Sequence, residues 1–144
     1  TGVPVGLGVD GSSSNDGGHL LAEARQALLL QRLREGAAGC SVREMLRVAT
    51  LGGARALGRA DHLGALQVGY QADCAAFAVD DLWHAGAVHD PVASLLLCHS
   101  TNASYTVVGG DVLVDNGELA VLDLPGLLQR HRDMAVRLGR GERL

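Results

Sequence analysis

Residues 3–9 are the part of the sequence that most restricts the possible folds. Valine or leucine stands at every second position there, proline or glycine lies between, and Asp10 follows at once. This alternation predicts a short buried strand. Because a strand is not stable without hydrogen-bonded neighbours, we expect the chain to add one strand to a sheet whose other strands lie upstream in a longer protein.

The composition predicts an aliphatic interior. Aromatic residues make up 3% of the 144 residues, and there are 20 glycines, about twice the usual share. A chain of this length normally forms one domain, but the lone strand argues against that interpretation. We therefore expect two partial domains whose other halves lie upstream.

Charge and cysteine usage exclude several classes of partner and site. A formal net charge of −4 without a run of like charges argues against nucleic acid or an anionic membrane as a partner. No apolar run approaches the length needed to cross a membrane. Three widely spaced cysteines without a CxxC pair predict neither a disulfide framework nor a thiolate zinc site, so the expected location is the reducing cytoplasm.

Periodicity and capping residues predict four helices. Asn15 or Asp16 is expected to cap the first helix. Ser41 and Glu44 have the spacing of a capping box at the start of the second helix, which a glycine pair at 52–53 is expected to interrupt. The helices are placed at residues 19–35, at 41–51 with one more turn at 54–57, at 91–98, and from 125 onward behind Asp123.

Beyond residue 58 the apolar period changes from 3.6 to 2, which indicates a domain boundary. Glycine pairs and an Asn-Gly step supply the turns that hairpins require. Residues 64–70 are predicted to be a short strand and turn, and the other predicted strands cover residues 74–79, 105–108, 112–114 and 118–121.

Asp10 is the residue that most strongly suggests chemistry. A carboxylate that ends a buried strand and precedes a glycine-rich loop stands where α/β barrels and doubly wound sheets present catalytic groups. Three roles are open from the local pattern: a metal ligand, a general base, or a loop cap that accepts hydrogen bonds from Ser12 or Ser13.

Several sequence blocks resemble one enzyme family. They are VGLGVDGSSSND at 5–16, LAEAR at 21–25, ARALG at 54–58, GALQVG at 64–69, AD at 72–73 and VVGGDVLVDNG at 107–117. Together they resemble the last barrel strand and the closing segment of the amidohydrolase superfamily, in its cytosine deaminase, guanine deaminase and chlorohydrolase branch.

The resemblance implies an α/β fold, the C-terminal part of a (β/α)₈ TIM barrel with the closing strands of a composite β-sandwich. Residues 1–58 would be the last barrel strand and its outer helices, 59–122 the sandwich portion, and 123–144 a C-terminal helix. The upstream part of the same barrel would be the main partner, and the family's homo-oligomer is a further expectation.

The resemblance also implies a role for Asp10. In that family the aspartate that closes the eighth strand binds the catalytic divalent metal and handles protons, and Asp10 is the position that matches. One zinc ion is expected, with iron as the alternative. The family's His-x-His and other metal ligands are absent from this sequence, so the segment alone cannot be a complete catalyst.

The expected function is hydrolytic deamination of a purine-like heterocycle. DGSSSNDGGH at 10–19 and LLQRLR at 29–34 are most similar to the branch members that deaminate 8-oxoguanine. Alternatives are an s-triazine hydrolase or chlorohydrolase, a guanine or cytosine deaminase, and a noncatalytic sandwich or scaffold module in which Asp10 only caps a loop.

Three residues near Asp10 are further candidates. By resemblance, Asn15, Asp16 and His19 lie in the substrate-facing loop. The alternatives are structural: Asn15 or Asp16 caps the first helix, and His19 lies exposed in its first turn.

Other chemically capable residues are expected to be structural. Trp83 either packs against the sandwich or stacks on a base. His84 and His89 are expected to decorate a loop, and Cys74 and Cys98 to be inert thiols of the core.

Overall fold

The computed structural model describes residues 2–143. In this range the chain forms five α-helices, a π-helical turn and one four-stranded sheet. No helix among these residues has the length and hydropathy to cross a lipid bilayer. The elements are α1 (Leu20–Glu35), α2 (Val42–Arg47), the π-helical turn (Val48–Gly52), α3 (Gly53–Ala56), β1 (Cys74–Ala76), α4 (Pro91–Leu97), β2 (Tyr105–Val108), β3 (Asp111–Asp115), β4 (Glu118–Leu119) and α5 (Leu124–Gly139).

The buried core lies where α1, α2 and α4 pack together. The predicted capping box at α2 is confirmed, because Ser41 accepts from the Glu44 backbone and the Glu44 carboxylate accepts from the Ser41 N–H. A side-chain cap also begins α4, where Asp90 accepts from the Ala93 N–H. The buried apolar side chains of this core are Ala24, Leu28, Val42, Met45 and Leu96.

The sheet is antiparallel, and its strands follow the chain in the order β1-β2-β3-β4. The predicted hairpin is confirmed: β2 and β3 turn at Gly109 and Gly110, which both have positive φ. Asn116 and Gly117 make the next turn, also with positive φ. None of the residues in these four strands is fully buried.

The predicted strand at 3–9 does not form within the described residues. The segment has no regular secondary structure and belongs to no sheet, and Val3 and Val5 are 69% and 61% exposed. The described residues therefore do not bury Val3 and Val5, and burial of the segment in a longer protein stays a prediction. The physical reason is the one that the sequence suggested, since a strand needs backbone partners.

The glycine pair at 52–53 does not interrupt the second helix, contrary to prediction. The helix continues through the π-helical turn into α3. The pair instead allows the segment 3–9 to approach closely: a Cβ on Gly52 would collide with the Val5 carbonyl oxygen, and a Cβ on Gly6 would lie 2.7 Å from the Gly53 Cα. The missing side chains thus let the segment 3–9 pack directly against the helix backbone, and we call this the glycine contact.

Three further predictions change in detail. Residues 64–70 form turns rather than a strand, and the strand predicted at 74–79 ends at Ala76. The helix behind Asp123 is confirmed, with the Asp123 carboxylate accepting from the Gly126 N–H. Its apolar face, however, contains no buried residue, because no described element covers it.

Candidate metal and substrate site

Asp10 stands where the segment 3–9 turns into the loop. Its φ of 59° lies in the left-handed region, which aspartate tolerates better than most residues. Its Oδ1 accepts a 2.7 Å hydrogen bond from the Gly11 N–H, rather than from Ser12 or Ser13 as the loop-cap prediction supposed. The residue is exposed. The backbone turn therefore presents an oriented carboxylate at the surface.

Asn15 holds the loop through its side-chain amide. Its Nδ2 donates to the Val9 carbonyl oxygen at 2.9 Å and to Glu23 Oε1 at 2.7 Å. Its Oδ1 accepts from the Gly17 N–H at 3.1 Å. The predicted helix cap is wrong, because His19 is the N-cap residue of α1 and no side-chain cap bond is present there.

His19 and Asp16 have different surroundings. His19 Nε2 lies 3.2 Å from the Thr101 carbonyl oxygen, and since a carbonyl only accepts, the Nε2–H donates. His19 Nδ1 is buried without a hydrogen-bond partner among the described residues. Asp16 is exposed. His19 therefore ties the start of α1 to the connection before β2, instead of lying exposed as the structural alternative supposed.

Two partners in this network were missed by the sequence analysis. Glu23 lies in the first turn of α1, and its acidic side chain within the LAEAR block was a usable signal. Thr101 contacts His19 through its backbone across 82 positions, and a backbone carbonyl gives no signal in a sequence.

His84 lies in a turn as predicted but is buried rather than on the loop surface, and the predicted packing of Trp83 needs correction. His84 is 1% exposed, and its Nδ1–H donates to Asp81 Oδ1 at 2.6 Å. This bond lowers the pKa of the Asp81 carboxyl. Trp83 is 65% exposed and stacks on His99 with ring centroids 5.3 Å apart, so it packs on a histidine rather than on the sheet.

The expectation of core thiols is also wrong. Cys74 and Cys98 are both exposed, and all three cysteines are free. Cys74 lies on β1, which has no covering layer among the described residues, and Cys98 directly follows α4.

Within residues 2–143, no three histidine, cysteine, aspartate or glutamate side chains converge as a metal site would require. Asp10 is therefore a single candidate ligand rather than part of a complete set. A zinc site normally has at least three protein ligands, so these residues cannot form one alone.

Comparison with known proteins places this arrangement in a family. The family model described as "Amidohydrolase family" matches residues 1–117, which include Asp10 and the whole sheet except its last two residues. The chain belongs to the amidohydrolase family. The predicted family is therefore confirmed.

Individual amidohydrolases match almost the whole chain. The 8-oxoguanine deaminase of Pseudomonas aeruginosa is 50% identical over 137 residues, which are 95% of this chain and 30% of that protein. The hydroxydechloroatrazine ethylaminohydrolase of a Pseudomonas species is 42% identical over 126 residues, 85% of this chain and 26% of that protein. The chain thus spans about a third or less of the length of these relatives.

Solved amidohydrolase structures share the fold. An adenosine deaminase from Xanthomonas campestris with bound zinc superposes with a TM-score of 0.86 at 28% identity, covering 96% of this chain and 32% of that one. An atrazine chlorohydrolase from Arthrobacter aurescens, in complex with zinc, gives 0.82 at 40% identity, covering 92% and 30%. The helices and sheet described above therefore form a recurrent part of larger amidohydrolase chains.

Proposed function

We propose that this chain is the C-terminal part of a metal-dependent aminohydrolase that deaminates a purine-like heterocycle, with 8-oxoguanine as the first substrate to test. The observation that carries the proposal is the Asp10 carboxylate, exposed and oriented at the end of the segment 3–9. The 50% identical relative named as 8-oxoguanine deaminase supports the choice of substrate.

In the proposed architecture, residues 3–9 are the last parallel strand of the barrel. The middle of the segment lies against Gly52 and Gly53. Within the described residues no backbone group of residues 3–8 makes a hydrogen bond, which leaves them available to strands from upstream. Residues 1–58 then belong to the barrel, 59–122 to the sandwich and 123–144 to a terminal helix, with Thr1 and Leu144 outside the described residues.

The chemistry of Asp10 suits a divalent metal. Carboxylate oxygen is an accepted zinc ligand, and the bond from the Gly11 N–H fixes the carboxylate. Asp10 would supply one ligand, and the others would come from upstream parts of the protein. When bound, the metal ion would lower the pKa of a water molecule toward neutrality.

The carboxylate of Asp10 would act on protons. As water adds to the ring carbon that bears the amino group, Asp10 accepts a proton from it. When the C–N bond breaks, Asp10 delivers this proton to the departing nitrogen, so that ammonia leaves rather than amide ion. The second proton of the water moves to the ring nitrogen whose C=N bond opens during the addition, so the products are the ring carbonyl compound and ammonia.

The decisive experiment uses the full-length, zinc-loaded protein and the variant Asp10→Asn. Asparagine keeps the shape but cannot take the proton, so ammonia release should fall by about 10²-fold to 10⁴-fold, with loss of bound zinc. Asp80→Asn, an exposed aspartate elsewhere, is the matched control and should keep full activity. Unchanged turnover and zinc content in Asp10→Asn would refute the proposed role.

A screen of substrates separates the alternatives. Ammonia release should be fastest with 8-oxoguanine, compared with guanine, cytosine and amino-triazines. Triazine hydrolysis is the second candidate, since a zinc-bound atrazine chlorohydrolase is 40% identical over 92% of this chain. Release of chloride or alkylamine from a triazine would favour it. No turnover with any of these compounds, together with no bound metal, would favour the scaffold hypothesis.

A further inference from the structure

The end of the segment 3–9 needs something to fix it, because no sheet partner does so within residues 2–143. The glycine contact involves Val5 and Gly6, in the middle of the segment. Asp10 stands four residues further on, where the backbone reverses with a positive φ. The direction of its carboxylate depends on the peptide plane between Val9 and Asp10.

Asn15 holds that peptide plane. Its Nδ2 donates at 2.9 Å to the Val9 carbonyl oxygen, which belongs to the peptide unit joining Val9 to Asp10. The loop adds two backbone bonds, since the Gly11 carbonyl accepts from the N–H groups of Ser14 at 2.9 Å and Asn15 at 3.0 Å. Asn15 is therefore held against the turn that it stabilises.

The second Nδ2 proton of Asn15 reaches the helix. It donates to Glu23 Oε1 at 2.7 Å, and the charged acceptor makes this a strong hydrogen bond. Glu23 stands in the first turn of α1, directly before Ala24, which with Leu28 is buried in the core. The connection therefore runs from a packed helix through one amide to the peptide beside Asp10.

The amide of Asn15 has no proton left for a ligand. Both Nδ2 protons are used, and Oδ1 accepts from the Gly17 N–H at 3.1 Å. This pattern also distinguishes asparagine from aspartate. A carboxylate at this position would face the Val9 carbonyl and the Glu23 carboxylate, which are both acceptors, so the two contacts would become repulsive.

We propose that Asn15 is a positioning residue for Asp10, acting through the Val9 carbonyl and anchored by Glu23, rather than a substrate contact. The proposal rests on the proposed role of Asp10 as metal ligand and proton carrier. Residues that orient metal ligands typically change metal affinity or activity by about 10-fold to 100-fold when altered.

The test compares Asn15→Asp with Gln67→Glu in the full-length protein. Gln67→Glu adds the same charge at an exposed turn and is the control. Asn15→Asp should weaken zinc binding, measured against a chromophoric chelator, by about 10-fold to 100-fold. It should lower kcat by a similar factor and leave KM unchanged. A raised KM with unchanged zinc affinity would show a substrate contact and overturn the proposal.

Two further variants test the anchor. Glu23→Gln keeps the Oε1 acceptor and should change zinc affinity by less than about threefold, since a neutral acceptor replaces a charged one. In Asn15→Asp with Glu23→Gln, the new amide can donate to the new carboxylate, so part of the lost zinc affinity should return. No recovery of zinc affinity in the double variant would remove Glu23 from the proposal. A lower Tm of Asn15→Asp alone, with normal zinc affinity and kcat, would indicate that Asn15 has a purely structural role.

A metal-free measurement keeps this test independent of the proposed function. Hydrogen exchange of peptides covering residues 8–14 should be faster in Asn15→Asp than in Gln67→Glu, because the hydrogen bond from Asn15 to the Val9 carbonyl is lost. Equal exchange rates would refute the positioning role even if deamination is confirmed. Faster hydrogen exchange in Asn15→Asp, in a protein that neither binds zinc nor deaminates, would support the role of Asn15 in holding Val9 and would refute the proposed function.

Discussion

The sequence predicts strands both in the segment 3–9 and in the sheet β1–β4, yet the two regions differ in where their partners lie. Each strand of the sheet pairs with the next strand along the chain, as in Cys74 with Val107 and Val114 with Leu119. The segment 3–9 has no such neighbour within residues 2–143. Antiparallel strands can be joined by a tight turn, whereas parallel strands need long crossovers. A chain of this size can therefore contain complete hairpins and still leave a parallel strand unpaired.

The two regions also differ in how they bury apolar side chains. The segment 3–9 leads into helices whose packing buries five apolar residues. The sheet buries none of its residues completely, and Val112 is 48% exposed. Backbone pairing defines the sheet, and side-chain packing defines the helical layer.

The largest expected effect tests this difference in packing. Leu28→Ala removes a fully buried side chain from the contact of α1 with α2 and α4, so the free energy of unfolding of the full-length protein should fall by about 2–5 kcal/mol. Val112→Ala, in the sheet, should cost less than about 1 kcal/mol. Urea denaturation of both variants gives the comparison.

An equal loss in the two variants would contradict the comparison. It would mean that Val112 is covered in the full-length protein as thoroughly as Leu28, and that the sheet belongs to a closed sandwich core. A small loss in both would show that the helical core contributes less than its burial indicates.

The next prediction concerns the glycine contact of the segment 3–9. Alanine normally stabilises a helix interior by about 0.5–1 kcal/mol relative to glycine, and Gly53→Ala should do so because its Cβ would meet nothing within 4 Å. Gly52→Ala should instead destabilise the protein by about 1–3 kcal/mol, since its Cβ would collide with the Val5 carbonyl. Changes of opposite sign in the free energy of unfolding, measured by urea denaturation, would confirm the glycine contact. Stabilisation by both variants would refute it.

Local signals in the sequence predicted those features whose partners are near in the chain. The capping box of Ser41 with Glu44 and the hairpin turning at Gly109 and Gly110 are confirmed. In each case the residues that must interact are separated by a few positions, and turn or cap chemistry identifies them.

Features that depend on distant chain were predicted incompletely. The glycine pair at 52–53 was interpreted as a helix break, because its role requires knowledge that the segment 3–9 lies against it. Cys74 was expected in the core, but the strand that carries it has no covering layer among the described residues. At the candidate site, the place of Asp10 after a predicted strand and the family resemblance both indicate its role, whereas the contact of Asn15 with Glu23 joins a loop to a helix eight positions away and has no local signal.

The smallest predicted effect concerns charge at the contact between α2 and α4. The two terminal guanidinium nitrogens of Arg43, Nη1 and Nη2, each donate to Asp90 at 3.1 Å, which lowers the pKa of the Asp90 carboxyl. A carboxylate with a lowered pKa in the folded state stabilises the fold above its ordinary pKa of about 4, and this contribution is lost as the pH falls through the lower folded value.

Asp90→Asn keeps the oxygen that caps α4 but removes the charge. The wild-type Tm should therefore exceed that of Asp90→Asn at pH 6, and the difference should shrink steadily toward pH 3. Asp80→Asn, which alters an exposed loop carboxylate, serves as the control and should show no such trend. A difference for Asp90→Asn that is constant with pH would show that the ion pair does not connect the two helices in solution.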